Sequence, residues 1–154
     1  MPTVLGVISD THGVMRPEAL EALRGVARVL HAGDVGSEAV LATLRALAPL
    51  TAVRGNADRG PLAAALPATA SLVVAGVGIH LLHDVNDLDL DPAAAAVRVV
   101  VSGHTHRASI RWGEDVLYLN PGSAGPRRFG GGLSVARLTI TAGRLDPEII
   151  PLPV

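Results

Sequence analysis

Five strand-like apolar segments of this chain each stop on side chains that can bind a cation. Asp10 and His12 close residues 3–9, Asp34 follows 29–32, Asn56 follows 50–53, His83 follows 77–82, and His104 and His106 follow 97–101. In open α/β sheets the carboxyl ends of strands gather along one edge, so donors distant in sequence converge on a common crevice. Glycines beside Asp34, Asn56 and His104 let the backbone turn sharply there. Polar groups at the ends of buried strands need a partner, and these seven donors exceed the needs of one ion. Two ions roughly 3.5–4 Å apart, bridged by a carboxylate, would use them all, and such a pair clamps the attacking and leaving oxygens of an in-line displacement.

The segments between the donors define the elements. Val4, Leu5, Val7 and Ile8 make the near-continuous apolar run of a strand buried on both faces. Pro17 suits a first helical turn, and Leu20, Leu23 and Val26 share a face, which predicts a helix from about Arg16 that ends at Gly25. Ser37 is placed to cap a second helix with Val40, Leu41, Leu44 and Leu47 turned inward. Beyond Gly60-Pro61, residues 70–74 and 77–82 around Ala75-Gly76 read as an antiparallel hairpin. Asp91-Pro92 and four alanines predict a further helix. Four shorter strands follow, at 108–112, 116–120, 133–140 and 145–150. Alternating strands and helices followed by a strand-rich half predict an α/β fold, a two-sheet sandwich with helices outside.

With 154 residues the chain is expected to form one domain, 1–154. Apolar residues make up 49% and aromatics 2%, so the core has to be built from small aliphatics, which suits parallel strands under helices. Cysteine is absent, which removes thiolate ligands and a cysteine nucleophile and leaves N and O donors for any metal. A formal charge of -1 offers no basic field for a long nucleic acid. The start at Met1-Pro2-Thr3 lacks a signal-peptide pattern, and no apolar run spans a bilayer, so a cytoplasmic address is expected.

In order and spacing, Asp10-x-His12, Gly33-Asp34, Gly55-Asn56-x-Asp58, His83 and Gly103-His104-Thr105-His106 resemble the calcineurin-like metallophosphoesterase superfamily, most closely its small phosphodiesterase branch, which includes the retromer subunit. The likeness runs from the first strand to Asn120-Pro121-Gly122-Ser123. It implies a four-layer α/β/β/α sandwich. It also implies that Asp10, His12 and His106 hold one ion, that Asn56, His83 and His104 hold a second, and that Asp34 bridges them. Asp34, Asn56 and His104 would then act in catalysis through a metal-bridging hydroxide that attacks phosphorus. The branch commonly works with manganese; mixed imidazole and carboxylate donors also suit Fe, Zn or Ni. The implied substrate is a small phosphate diester. A phosphomonoesterase or nucleotide pyrophosphatase on the same site, and a noncatalytic scaffold, are the alternatives.

The chain departs from the family pattern twice. Ala57 stands where many members carry a histidine that protonates the leaving group, which predicts a preference for esters with acidic leaving oxygens, such as aryl diesters. Asp84 stands where a glycine is usual, to tune the second ion or face solvent. Asp58 either orients a ligand histidine or caps a turn. Arg54 and Arg107 are candidates to grip a nonreacting phosphate oxygen. His31 and His80, inside strands, are read as structural, and Asn120-Pro121-Gly122-Ser123 as a turn. The apolar end 149–154 could pack on a second copy or close its own sheet.

Overall fold

A computed structural model describes residues 1–127 and 131–154. The first half alternates β1 (Thr3–Ile8), α1 (Pro17–Ala22), β2 (Arg28–His31), α2 (Glu38–Leu47), β3 (Leu50–Ala52) and α3 (Gly60–Ala65). The second half is almost all strand: β4 (Thr69–Val74), β5 (Val77–Leu82), β6 (Val99–Val101), β7 (Ser109–Gly113), β8 (Val116–Asn120), β9 (Ser134–Thr141) and β10 (Arg144–Pro151). They form two five-stranded sheets, ordered β10-β9-β1-β2-β3 and β4-β5-β6-β8-β7. Within the first, β1, β2 and β3 are parallel; within the second, β5, β6 and β8 are. The expected α/β two-sheet sandwich is the fold.

The apolar period explains the layers. Leu5 and Val7 of β1 enter the core between the sheets with Leu30, Ile79, Val99 and Leu117, while Ile8 faces the other way, into a second core with Leu23, Leu41 and Leu44. Helices α1 and α2 pack there. Aliphatics without large rings fill both cores, as the composition requires. On the outer face of the second sheet the cover is thin: Leu82, Val97, Val100 and Val116 lie under Val85, Leu88 and Leu90, in a 3₁₀ turn (Val85–Asp87) and the loop after it.

Several local expectations shift. Ser37 occupies the N-cap of α2 without accepting a hydrogen bond through its side chain. The four alanines form one turn instead of a helix: Asp91 Oδ1 accepts the Ala93 N–H, Val97 N–H closes on Pro92, and Ala96 turns left-handed at φ 57°. Ala93 to Ala96 are exposed and bring no apolar stripe, so nothing offsets the cost of nucleating so short a helix. Helix α3 was not expected. The hairpin is as read, with Ala75 and Gly76 both at positive φ in a tight turn that matches strand twist. Among the described residues no helix is long and apolar enough to cross a membrane.

Candidate metal centre

The parallel strands of both sheets end at one place, and the loops beyond them carry the donors. Asp10 and His12 follow β1, Asp34 follows β2, Asn56 follows β3, His83 follows β5, and His104 and His106 follow β6. Five of these seven, Asp10, His12, Asp34, His104 and His106, adopt left-handed backbone with φ between 47° and 72°. Asp and His tolerate that region better than most side chains, at a cost of about 1–3 kcal/mol each. The other described non-glycine residues at positive φ lie in hairpin turns or end the alanine turn, so the rest of this strain is concentrated at the site.

Asp10 is fully buried, and its two oxygens differ. Oδ2 accepts the Ser9 hydroxyl at 2.7 Å and the His104 N–H at 3.0 Å. Oδ1 is buried without a hydrogen-bond partner, and it faces Nε2 of His106 at 3.2 Å, of His12 at 3.7 Å and of His83 at 3.9 Å. A buried carboxylate oxygen in that state demands a cation. Nε2 of His12 is likewise buried without a hydrogen bond and lies 3.7 Å from Asp34 Oδ2. Asp10, His12 and His106 form one group of donors within 4.8 Å of one another.

Asp10, Asp34 and His83 form a second such group. Asp34 Oδ1 is tied to the Ala57 N–H at 2.8 Å, while Oδ2 lies 3.2 Å from Nε2 of His83. Burial opposes ionisation of Asp34, but His83 and the Ala57 N–H outweigh it and bring its pKa down to about 2. Burial also disfavours charge on His83, and there Asp34, the Ala32 carbonyl and Asp10 prevail and raise its pKa. The Ala32 carbonyl accepts the Nδ1–H of His83 at 2.7 Å and leaves Nε2 aimed into the site. Nδ1 of His104 completes this side, 3.1 Å from Asn56 Oδ1 and 3.3 Å from His83 Nε2. Gly55 has to be glycine, because a Cβ there would come within 2.1 Å of Asp34 Oδ1. All seven donors named from the sequence are together, at the edge of a cleft of about 290 Å³ lined by Arg54, Asn56, His83, Asp84, Asp87 and His104.

The family model for the calcineurin-like phosphoesterase superfamily domain matches residues 4–143. The chain belongs to that superfamily. A probable metallophosphoesterase of Methanothermobacter thermautotrophicus is 38% identical over 159 residues, spanning 96% of this chain and 91% of the relative. Among solved structures, an archaeal phosphodiesterase superposes with a TM-score of 0.81 at 23% identity, covering 97% of this chain and all of that one. Vps29 of Chaetomium thermophilum gives 0.78 at 19% identity, with 97% of each chain covered. At these identities the two structural likenesses are likenesses of fold. The protein is a metal-dependent phosphoesterase, and its paired groups of carboxylate and imidazole donors suit divalent ions.

The layer behind the donors is where the phosphoesterase departs from expectation. Asp58 neither orients a histidine nor merely caps a turn: its carboxylate accepts three backbone N–H groups, from Val35 at 3.2 Å, Gly36 at 3.0 Å and Gly55 at 2.9 Å, which binds the loop after β2 to the loop after β3. Asn120, read as turn punctuation, ends β8 at the same sheet edge. Its amide donates to the Gly103 carbonyl and to Thr105 Oγ1, so it holds the loop that carries His104 and His106. A buried asparagine at a strand end, like the donors themselves, was the available signal. Ser123 donates to the Asp10 carbonyl and braces the first loop. Arg54 lines the cleft, with Nη1 on the Leu66 carbonyl. Arg107 is exposed and lines a different hollow, together with His106 and Ala108.

His31 of the phosphoesterase is structural, as read, and its tautomer follows from its partners. Gly33 N–H donates to Nδ1 at 3.1 Å, so Nε2 carries the proton and donates to Thr11 Oγ1, whose own proton goes to the Val35 carbonyl. Full burial lowers its pKa from 6.5 to about 3. The unfolded chain therefore binds a proton here near pH 6.5 that the folded protein refuses until about pH 3, and stability is lost as pH falls between those values. The contribution of His31 is expected to drop by about 2 kcal/mol between pH 7.5 and pH 5. Ring NMR shifts check it: His31 should show no titration down to pH 5, and a midpoint near 6.5 would refute the assignment. His80, inside β5, shares a hydrogen bond of 2.7 Å with Ser71 on the neighbouring strand β4.

Proposed function

We propose that the protein hydrolyses phosphate diesters with two divalent ions, Asp10, His12 and His106 holding the first, Asn56, His83 and His104 the second, and Asp34 shared. The observation that carries the reading is Asp34 Oδ2, set between His12 at 3.7 Å and His83 at 3.2 Å, beside the partnerless Oδ1 of Asp10. Ions held there supply Lewis-acid activation of water and neutralise phosphate charge. The chain's own share is positioning: left-handed backbone, the clamp of Asp58 and the brace of Asn120 set the donors before any ion arrives. Manganese suits this donor set, with Fe, Zn and Ni as competitors.

The substrate class follows from the cleft. Ala57 offers only its N–H, already used by Asp34, so no side chain at that position protonates a leaving oxygen. Esters with acidic leaving groups are favoured for that reason. Asp84 and Asp87 face the cleft with Arg54 as the cation, a balance that suits the single charge of a diester better than the double charge of a monoester. The name of the archaeal phosphodiesterase agrees with this reading.

Bis(p-nitrophenyl) phosphate and p-nitrophenyl phosphate, given to metal-stripped protein with Mn, Zn, Fe, Ni or Mg added back, provide the test. Activity with a transition metal and a clear diester preference are expected. Equal rates on both esters would remove the diester assignment. Two tightly bound ions with no turnover of either would favour the scaffold.

A further inference from the structure

Asp84 stands at the exit of β5, next to His83 and at the wall of the cleft. Its Oδ1 accepts the Asn86 N–H at 3.0 Å, which opens the 3₁₀ turn and fixes the direction of the carboxylate. Its Oδ2 is left facing Nε2 of His104 at 3.8 Å. The other ring nitrogen of His104, Nδ1, is turned to Asn56 Oδ1 and His83 Nε2, among the donors. The two nitrogens of an imidazole are not equivalent: the one that carries the proton cannot offer a lone pair to a cation, and the partner of one nitrogen decides the state of the other. For His83 the Ala32 carbonyl makes that choice. For His104, whose side chain is 42% exposed, the group on the outer side is Asp84.

Charge gives Asp84 a second role. In the two-ion reading the first ion has Asp10 besides the shared Asp34, whereas the second adds to Asp34 only the uncharged donors Asn56, His83 and His104, with Asp10 Oδ1 no nearer to His83 than 3.9 Å. The second ion is therefore the less well compensated, and a carboxylate just behind one of its ligands acts where the deficit is.

We propose that Asp84 is a positioning residue for the second ion. Its carboxylate accepts the Nε2–H of His104 and holds the ring in the tautomer whose Nδ1 is free. The proposal requires the two partly exposed side chains to turn so that their 3.8 Å separation shortens to hydrogen-bond length. The inference rests on the two-ion reading above.

Nitrogen-15 NMR of the histidine rings in metal-free protein, followed by calorimetric titration with manganese, tests it. Asn56 Oδ1 can only accept and competes for a proton at Nδ1, so in the wild type Asp84 should hold the proton of the neutral His104 ring on Nε2, and Asp84→Ala should shift it toward the Nδ1–H tautomer that Asn56 favours. The same variant should weaken the second ion about 10- to 100-fold and leave the first within about twofold. Asp84→Asn keeps an acceptor oxygen without the charge, so it should restore the tautomer and part of the affinity. An unchanged tautomer in Asp84→Ala, or equal weakening of both ions, would overturn the proposal. A wild type that takes up one ion overturns the two-ion reading instead, and the two failures are distinguishable because the tautomers are compared without metal.

Discussion

On the two-ion reading, Asp34→Asn is expected to cost the protein both ions at once. The carboxylate has one oxygen anchored on the Ala57 N–H and the other between His12 and His83, closer to His83 than Asp10 Oδ1 comes, so it reaches both sides while its own loop stays fixed. Asparagine keeps an acceptor for Ala57 and fills the same volume, which confines the change to charge. Loss of a partner that only orients a ligand weakens metal affinity about 10- to 100-fold. Loss of a shared ligand charge should exceed that at each ion, with diester hydrolysis falling on the order of 1,000-fold, as for deletion of a single transition-state contact. His106→Ala, which removes a donor from the first group alone, should loosen one ion and spare the other. Metal content after dialysis and calorimetric titration read both variants, and unchanged content in Asp34→Asn would break the two-ion assignment.

Asp58→Asn is expected to lower stability by about 3 kcal/mol, because a carboxylate only accepts hydrogen bonds and an amide does not. Oδ2 takes the N–H groups of Val35 and Gly55, and Oδ1 takes that of Gly36. Whichever way the asparagine is turned, its NH₂ points at least one donor at another donor, in a place where Asp58 is only 6% exposed. For a chain of this length the cost corresponds to a fall in Tm of about 6–12 °C. Denaturant unfolding of metal-free protein measures it, and a loss below about 1 kcal/mol would show that the two loops are held by something other than this side chain. Ion affinity should fall as well, since the loop after β3 presents both Asn56 and the Ala57 N–H that anchors Asp34.

The two predictions differ in how far the sequence prepared them. Asp34 was legible because it ends an apolar run beside a glycine, a local pattern. Asp58 lay inside a recognisable motif, yet its role was not legible, because two of the amides it binds are 23 and 22 residues away, in Val35 and Gly36. Asn120 is a sharper case. Its partners, Gly103 and Thr105, lie on a strand connection it meets only because β6 and β8 are adjacent and parallel. Asp84 could be read as facing an ion or solvent, and the choice needed the orientation of His104.

The sequence by itself determined the strands, most of the helices, the two-sheet architecture and the strand-end positions of the seven candidate donors. Each of these is written in short-range signals: apolar runs of strand length, helical spacing, and a polar stop with a glycine beside it. Only the tertiary structure decided which oxygen of Asp10 lacks a partner, which loop Asn120 holds, that Arg54 shares the cleft while Arg107 does not, and that the alanine segment makes one turn. Hydrogen-bond partners and cleft walls come from chain segments brought together by sheet order. The free energy that selects them is a balance of burial and pairing over the whole core, and no window of neighbouring residues carries it.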